Sequence, residues 1–173
     1  MTSLTQAEAR ASANPFVRLI EGLNRLLSLT PYWLIAIAAR VALIRVFWWS
    51  ARTKVVDGSS LIPQSLDGIR LSDSAVYLFS DEYKVHLLGK VYDLPNPQLL
   101  ALFAMIAEHT FPLLLAIGLG TRYAALGLFG MTLFIEAVYP EQYNEHLPWA
   151  VCCLVLVKWG GGLFSLDRLL ARR

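Results

Sequence analysis

The fold of this chain is decided by residues 31–51, PYWLIAIAARVALIRVFWWSA, which are apolar over the full thickness of a membrane. The hydrocarbon core of a bilayer is about 30 Å thick, and a helix crosses it in about 20 residues. The only charged side chains in this run are Arg40 and Arg45. We therefore predict a first membrane-spanning helix over residues 31–51.

Three further apolar runs cover residues 99–119, 123–139 and 147–166. None shows the alternation of membrane β-strands, so each is better interpreted as a helix. Hydrophobic residues make up 56% of the 173 and charged residues 16%, which is more apolar side chain than a soluble domain of this length buries. The sequence predicts an all-α fold, an integral membrane four-helix bundle that forms a single domain over residues 1–173.

Two segments lie outside the predicted spans. Residues 1–30 lack the apolar core and cleavage pattern of a secretory signal peptide. Their apolar residues recur at helical spacing, which predicts an N-terminal amphipathic helix at the membrane surface, or alternatively a soluble leader. These residues are Phe16, Leu19, Ile20, Leu23, Leu26 and Leu27. Residues 52–98 form a long polar loop, in which Ser72 or Asp73 could begin a short helix.

The basic residues near the span ends predict an orientation, because Lys and Arg favour the cytoplasmic side. In the predicted topology one side collects Arg10, Arg18, Arg25, Arg122, Arg168, Arg172 and Arg173. The connection at residues 140–146 contains no Lys or Arg. We therefore place both termini in the cytoplasm and the 52–98 loop outside, although the loop carries basic residues of its own. A net charge of only +2 gives no indication of nucleic-acid binding.

Charged side chains within the spans are the first place to look for function. Each costs at least a few kcal/mol in lipid, so it normally faces the bundle interior and pairs with another group. Arg40 and Glu108 lie near the middle of the first and second predicted spans, at the same predicted depth, and we expect an ion pair between them. Such a pair has two interpretations: a functional site, or an interior contact that only fixes helix register.

Further ionisable residues accompany this pair. Arg45 and His109 lie beside it in sequence, while Lys54, Glu136 and His146 gather near the outer ends of the spans. For His146 a residue at the level of the lipid headgroups is the simpler alternative. The pattern predicts an outward-facing polar pocket with a candidate site of Arg40, Arg45, Lys54, Glu108, His109, Glu136 and His146.

The adjacent Cys152 and Cys153 have neither the spacing of metal ligands nor that of a redox pair, since neighbouring residues on a helix point about 100° apart. We interpret them as small packing residues. No metal site and no evident cofactor is predicted. Aromatic side chains near the span ends fit an interfacial belt, although a quinone ring could stack on one of them.

Three motifs resemble the DoxX family of small bacterial membrane proteins. The first is Arg40 with FWWSARTK, which ends at Lys54; the second is AEHTFPLLLAIGLGTRYAALGLFGMT at residues 107–132. The third is HLPWAVCCLVLVKWGGGLFSLDRLL at residues 146–170. The resemblance implies a four-span protein of the bacterial inner membrane. It also implies, for some members, a role in quinone-linked redox metabolism, as in the related DoxD subunit of thiosulfate:quinone oxidoreductase.

These observations leave three functions open. The first is an auxiliary subunit of a membrane complex, with a protein partner or a second copy of the chain beside it in the lipid. The second is a quinone-binding oxidoreductase subunit whose electron donor belongs to a partner, because the sequence shows no haem-ligand pair, flavin fingerprint or complete catalytic constellation. The third is a small-solute transporter, for which no inverted repeat is evident.

Overall fold

The computed structural model describes residues 14–58 and 70–171. Its seven α-helices within those ranges are α1 Pro15–Ser28, α2 Tyr32–Thr53, α3 Asp73–Tyr77, α4 Pro97–Ile117, α5 Thr121–Val138, α6 Tyr143–Trp159 and α7 Leu166–Leu170. The predicted predominantly helical class is confirmed. The parts of the predicted N-terminal segment and first loop that fall at residues 1–13 and 59–69 lie outside the described residues.

Two helices of the described chain, α2 and α4, are long and apolar enough to cross a membrane. The α5 helix and the segment Pro140–Trp159 pass the same test only when taken together, and the two are bent by 118°. By length and composition there are thus two candidate spans, or three if the bent pair is one broken span. The four-span count stays a prediction.

Four long helices nevertheless share one apolar core. The α2 helix packs against α4 and α6, and α5 packs against the same two helices. Fully buried residues come from all four: Leu43 and Phe47 from α2, Leu115 from α4, Leu128 from α5 and Leu156 from α6. We call the end near Tyr32 and Ile117 the terminal end, and the end near Thr53 and Pro97 the loop end.

The fourth predicted span was placed too far along the chain. The α6 helix begins at Tyr143 and ends at Trp159, not at Leu166. Gly160 and Gly162 both have positive φ, +78° and +76°, which the α-helix does not allow. The glycine run therefore ends the helix and turns the chain back along the terminal end.

The first loop carries structure that the sequence only partly predicted. As expected, Ser72 caps α3, accepting a hydrogen bond from the N–H of Ala75 at 3.2 Å. A π-helical turn follows at Leu78–Glu82, and then an unpredicted antiparallel hairpin of β1 Lys84–Leu87 and β2 Lys90–Asp93. Buried Phe79 and Leu94 pack with Ala101 of α4, which holds this part of the loop against the long helices.

The N-terminal amphipathic helix is present as α1. Asn14 caps it by accepting a hydrogen bond from the N–H of Phe16 at 3.0 Å. No residue of α1 is buried against the rest of the described chain. Its apolar face is therefore open for 14 residues, just before α2 begins.

Candidate functional site

The predicted ion pair between Arg40 and Glu108 is wrong. The Arg40 guanidinium donates to backbone carbonyls at the terminal end, at 2.6 Å to Leu115, 2.7 Å to Ala116 and 2.7 Å to Phe164. A longer bond of 3.4 Å reaches the carbonyl of Gly161. Arg40 is therefore buried, and its hydrogen bonds hold the last turn of α4 next to the chain that follows α6.

The direction in which helical side chains lean explains the error. Side chains on an α-helix lean towards its N-terminus. Arg40 therefore leans towards the terminal end, where α2 begins. Glu108 belongs to the antiparallel α4 and leans towards the loop end. The two side chains thus point away from each other, although their positions along the predicted spans are alike.

The terminal end is completed by Asp167, which caps α5. Its carboxylate accepts the N–H of Gly120 at 2.6 Å and of Thr121 at 2.8 Å. Burial alone would raise the pKa of Asp167, but these hydrogen bonds and the charge of Arg40 outweigh it, so the pKa lies below its ordinary value. The backbone is packed closely here: a Cβ on Gly161 would lie 2.6 Å from Thr121 Oγ1. This end is a structural junction.

Glu108 instead pairs with Lys54 at the loop end. The distance from Lys54 Nζ to Glu108 Oε2 is 2.7 Å, and the two side chains are only 8% and 3% exposed. Lys54 also donates to Ser50 Oγ at 3.0 Å. The Lys54 side chain leans back towards the start of α2 and that of Glu108 towards the start of α4, so the two side chains point at each other. Desolvating two charges is costly, and a pair held this tightly recovers part of that cost.

This ion pair lies on the wall of a cavity of about 190 Å³ between the four long helices. The rest of the wall is mostly apolar and aromatic. It is formed by Val46, Phe47, Ser50, Phe79, Tyr83, Ala104, Met131, Phe134, Ile135, Val138, Tyr139, Gln142, His146 and Trp149. An apolar cavity with a few converging polar groups is the usual form of a small-molecule site.

Two tyrosines join the loop to this cavity. Tyr83 follows the π-helical turn, and its ring packs edge-on against that of Tyr139, which follows α5, with 5.7 Å between the ring centroids. Burial, with the neighbouring Tyr139 and the negative charge of Glu108, raises the pKa of Tyr83 to about 12. Both phenols therefore keep their protons at neutral pH and are hydrogen-bond donors. Neither belongs to the predicted site, because that site was chosen from charged residues and histidines alone.

His146 and Glu136 form a second pair beside the cavity. The ring Nδ1 of His146 lies 2.6 Å from Glu136 Oε2. His146 is buried against Trp149 and lines the cavity, while the Glu136 side chain is 35% exposed. His146 is thus buried near the start of α6, and its level relative to the lipid headgroups stays a prediction.

The two remaining predicted residues lie outside the cavity. His109 Nδ1 is 2.7 Å from the carbonyl oxygen of Met105, and its ring packs against Trp48. Arg45 is exposed on the outer face of α2. Of the predicted site, Lys54, Glu108 and His146 line one cavity and Glu136 backs it. In the described ranges no three His, Cys, Asp or Glu side chains come together as a metal site.

The sequence of this chain also matches a known protein family. The sequence profile of the DoxX family matches residues 35–139. This chain belongs to the DoxX family. The match contains Arg40, Lys54, Glu108 and both cavity tyrosines, and it ends before α6 with its glycine run. No curated protein and no solved structure matches the chain. The family, together with the apolar helices, makes this DoxX protein a membrane protein.

Proposed function

We propose that this DoxX protein is a membrane subunit that binds a small single-ring molecule in the cavity at Lys54 and Glu108. A quinone headgroup is the best chemical match. The observation that carries the proposal is a buried ion pair at 2.7 Å on the wall of an otherwise apolar cavity. Packing alone does not require such a pair, because apolar side chains of similar volume fill a core at equal or lower cost.

The size of the cavity supports a single ring. An apolar protein cavity of about 150 Å³ is large enough to bind benzene. The cavity here has a volume of about 190 Å³, so one substituted six-membered ring fits, whereas a larger fused ring system has little room. The flanking aromatic residues Phe47 and Trp149 offer faces and edges for stacking.

The polar groups also suit a quinone, whose two carbonyl oxygens accept hydrogen bonds. The ammonium of Lys54 is a donor, and the phenols of Tyr83 and Tyr139 on the same cavity wall are further donors. A quinone that takes up two electrons must also take up two protons. Glu108 and His146 are titratable groups on the same cavity wall and are suited to exchange them.

We further propose that the protein acts as an auxiliary subunit of a redox complex, with the electrons supplied by a protein partner. The sequence itself contains no haem-ligand pair, flavin fingerprint or redox Cys pair. The same proposal includes a four-span arrangement in the bacterial inner membrane, because α5 and α6 share the core of α2 and α4.

Quinone binding tests the proposal directly. Purified protein in lipid discs is titrated with a benzoquinone, and quenching of tryptophan fluorescence reports occupancy beside Trp149. We expect Glu108→Gln to weaken binding about tenfold or more, because it removes the carboxylate that holds the Lys54 ammonium on the cavity wall. The matched control is Asp93→Asn, which removes the carboxylate of the exposed pair with Lys84 at 2.6 Å and leaves binding unchanged. No binding by the wild type, or equal binding by Glu108→Gln, would refute the proposal.

The proposed orientation has its own test. Ser28 is exposed at the terminal end and Ser80 is exposed in the loop. The substitutions Ser28→Cys and Ser80→Cys are nearly isosteric. In a background lacking Cys152 and Cys153, an impermeant maleimide added outside intact cells labels Ser80→Cys and spares Ser28→Cys. The reverse pattern would place the termini outside.

A further inference from the structure

The cavity adjoins a groove on the outer face of the protein. This groove has a volume of about 310 Å³ and lies between α4 and α5. Four residues line both spaces: Phe79, Ala104, Met131 and Phe134. The two spaces therefore meet at side chains that are all apolar.

The groove itself is lined only by apolar residues and glycine. Its other walls are formed by Leu100, Phe103, Ala107, Gly127 and Gly130. The Lys54–Glu108 ion pair belongs to the cavity alone. The two neighbouring spaces thus differ in chemistry: charged groups line the cavity, and none lines the groove.

The two glycines of α5 play different parts. A Cβ on Gly127 would lie 2.5 Å from the ring of Phe111, so this glycine lets the two helices pack closely. A Cβ added at Gly130 would have nothing within 4 Å of it. Glycine inside a helix costs up to about 1 kcal/mol relative to alanine. No helix contact accounts for Gly130, which instead leaves open space in the groove.

We propose that the groove holds the apolar chain of an amphiphile whose polar ring lies in the cavity, and that the ligand enters sideways from the bilayer between α4 and α5. This inference rests on the proposed function, and it specifies the ligand class as a lipid-soluble molecule with one long apolar chain. The wall that the groove shares with the charged cavity favours this occupant over an ordinary acyl chain, which has no head suited to that ion pair.

Two probes with the same ring test the inference: a benzoquinone without a chain, and the same benzoquinone with a decyl chain. Affinities are measured in lipid discs and expressed per mole of lipid, because the decyl probe concentrates in the bilayer. Gly130→Trp fills the groove, and Ala42→Trp on the exposed face of α2 is the control for added bulk.

We expect Gly130→Trp to weaken decyl-benzoquinone binding about tenfold through lost chain contacts, with the chainless probe unaffected. Ala42→Trp should leave both affinities at the wild-type value. Equal effects of Gly130→Trp on the two probes, or none on either, would overturn the groove while leaving the proposed cavity site in place. Failure of both probes to bind the wild type would overturn the proposed function and this inference with it.

Discussion

Replacing Glu108 with Gln should strongly destabilise the protein, because it leaves the Lys54 ammonium buried without a counter-charge. Lys54 lies 2.7 Å from the carboxylate and its side chain is only 8% exposed. Removing one partner of a buried ion pair costs about 3–5 kcal/mol. Ser50 Oγ still accepts from Lys54, so we expect a loss near the lower figure, about 3 kcal/mol.

Thermal unfolding in lipid discs measures this loss. For chains of this length 1 kcal/mol corresponds to about 2–4 °C in Tm, so Glu108→Gln should melt roughly 6–12 °C below the wild type. The exposed pair between Lys84 and Asp93 provides the control. Its bond is as short, at 2.6 Å, but exposed pairs contribute at most about 1 kcal/mol, so Asp93→Asn should shift Tm by no more than about 4 °C.

The double variant Lys54→Met/Glu108→Leu separates charge from packing. Apolar side chains of similar volume remove both desolvation penalties, so its Tm should return to within about 1 kcal/mol of the wild type. Its quinone binding should stay lost, because the polar groups are gone. A double variant as unstable as Glu108→Gln would refute the account of the pair, as would a Glu108→Gln protein that melts like the wild type.

Three further predictions concern the terminal end. Arg40→Met should lower the free energy of unfolding by about 3 kcal/mol, as read from thermal melts, because four carbonyls lose the guanidinium as a donor, although that of Leu115 keeps the N–H of Gly118. Arg40→Lys should restore little of this, since one ammonium cannot reproduce the planar guanidinium. Gly161→Ala should cost about 1–3 kcal/mol through the clash with Thr121, whereas Gly130→Ala has open space, gains helix propensity and should melt at or slightly above the wild type. The pKa of Asp167 is lower in the folded protein than in the unfolded chain. Its carboxylate therefore stabilises the fold at neutral pH, and this contribution is lost as the pH falls through the folded-state pKa. Between pH 7 and pH 3 the Tm should fall less for Asp167→Asn than for the wild type, and parallel curves of Tm against pH would contradict this.

Hydrophobic patterning was enough to predict that α1 and the four long helices of the described chain exist. Length and composition identify α2 and α4 as membrane-crossing segments, and the Ser72 cap is visible as a residue type ahead of a short apolar run. The end of α6 was missed because glycines are tolerated in membrane helices. Only the backbone shows that Gly160 has a positive φ.

The partners of the charged residues were not predictable by counting depth along each span. Arg40 and Glu108 occupy equivalent positions in their runs, yet the lean of side chains on antiparallel helices carries them to opposite ends of the core. The same rule, applied to residues just past a helix end, would have favoured Lys54 as the partner of Glu108. The position of Tyr83 at the cavity was not predictable for another reason. The fold of the loop brings this residue to the cavity, and local sequence does not specify that fold.

The hairpin at residues 84–93 did carry a local signal. Two short runs with alternating apolar residues flank Leu88 and Gly89. Both residues have positive φ, as a two-residue hairpin turn requires. A search of the loop for a glycine between two such runs would have predicted this hairpin.

The central claim is that the cavity beside Lys54 and Glu108 holds a ligand, and a density map of the protein extracted in its native lipid tests this most directly. The account predicts density for a single ring within hydrogen-bonding distance of Lys54, continuing as a chain past Gly130 to the surface between α4 and α5. A well-resolved map in which the cavity contains only water or protein side chains would contradict it.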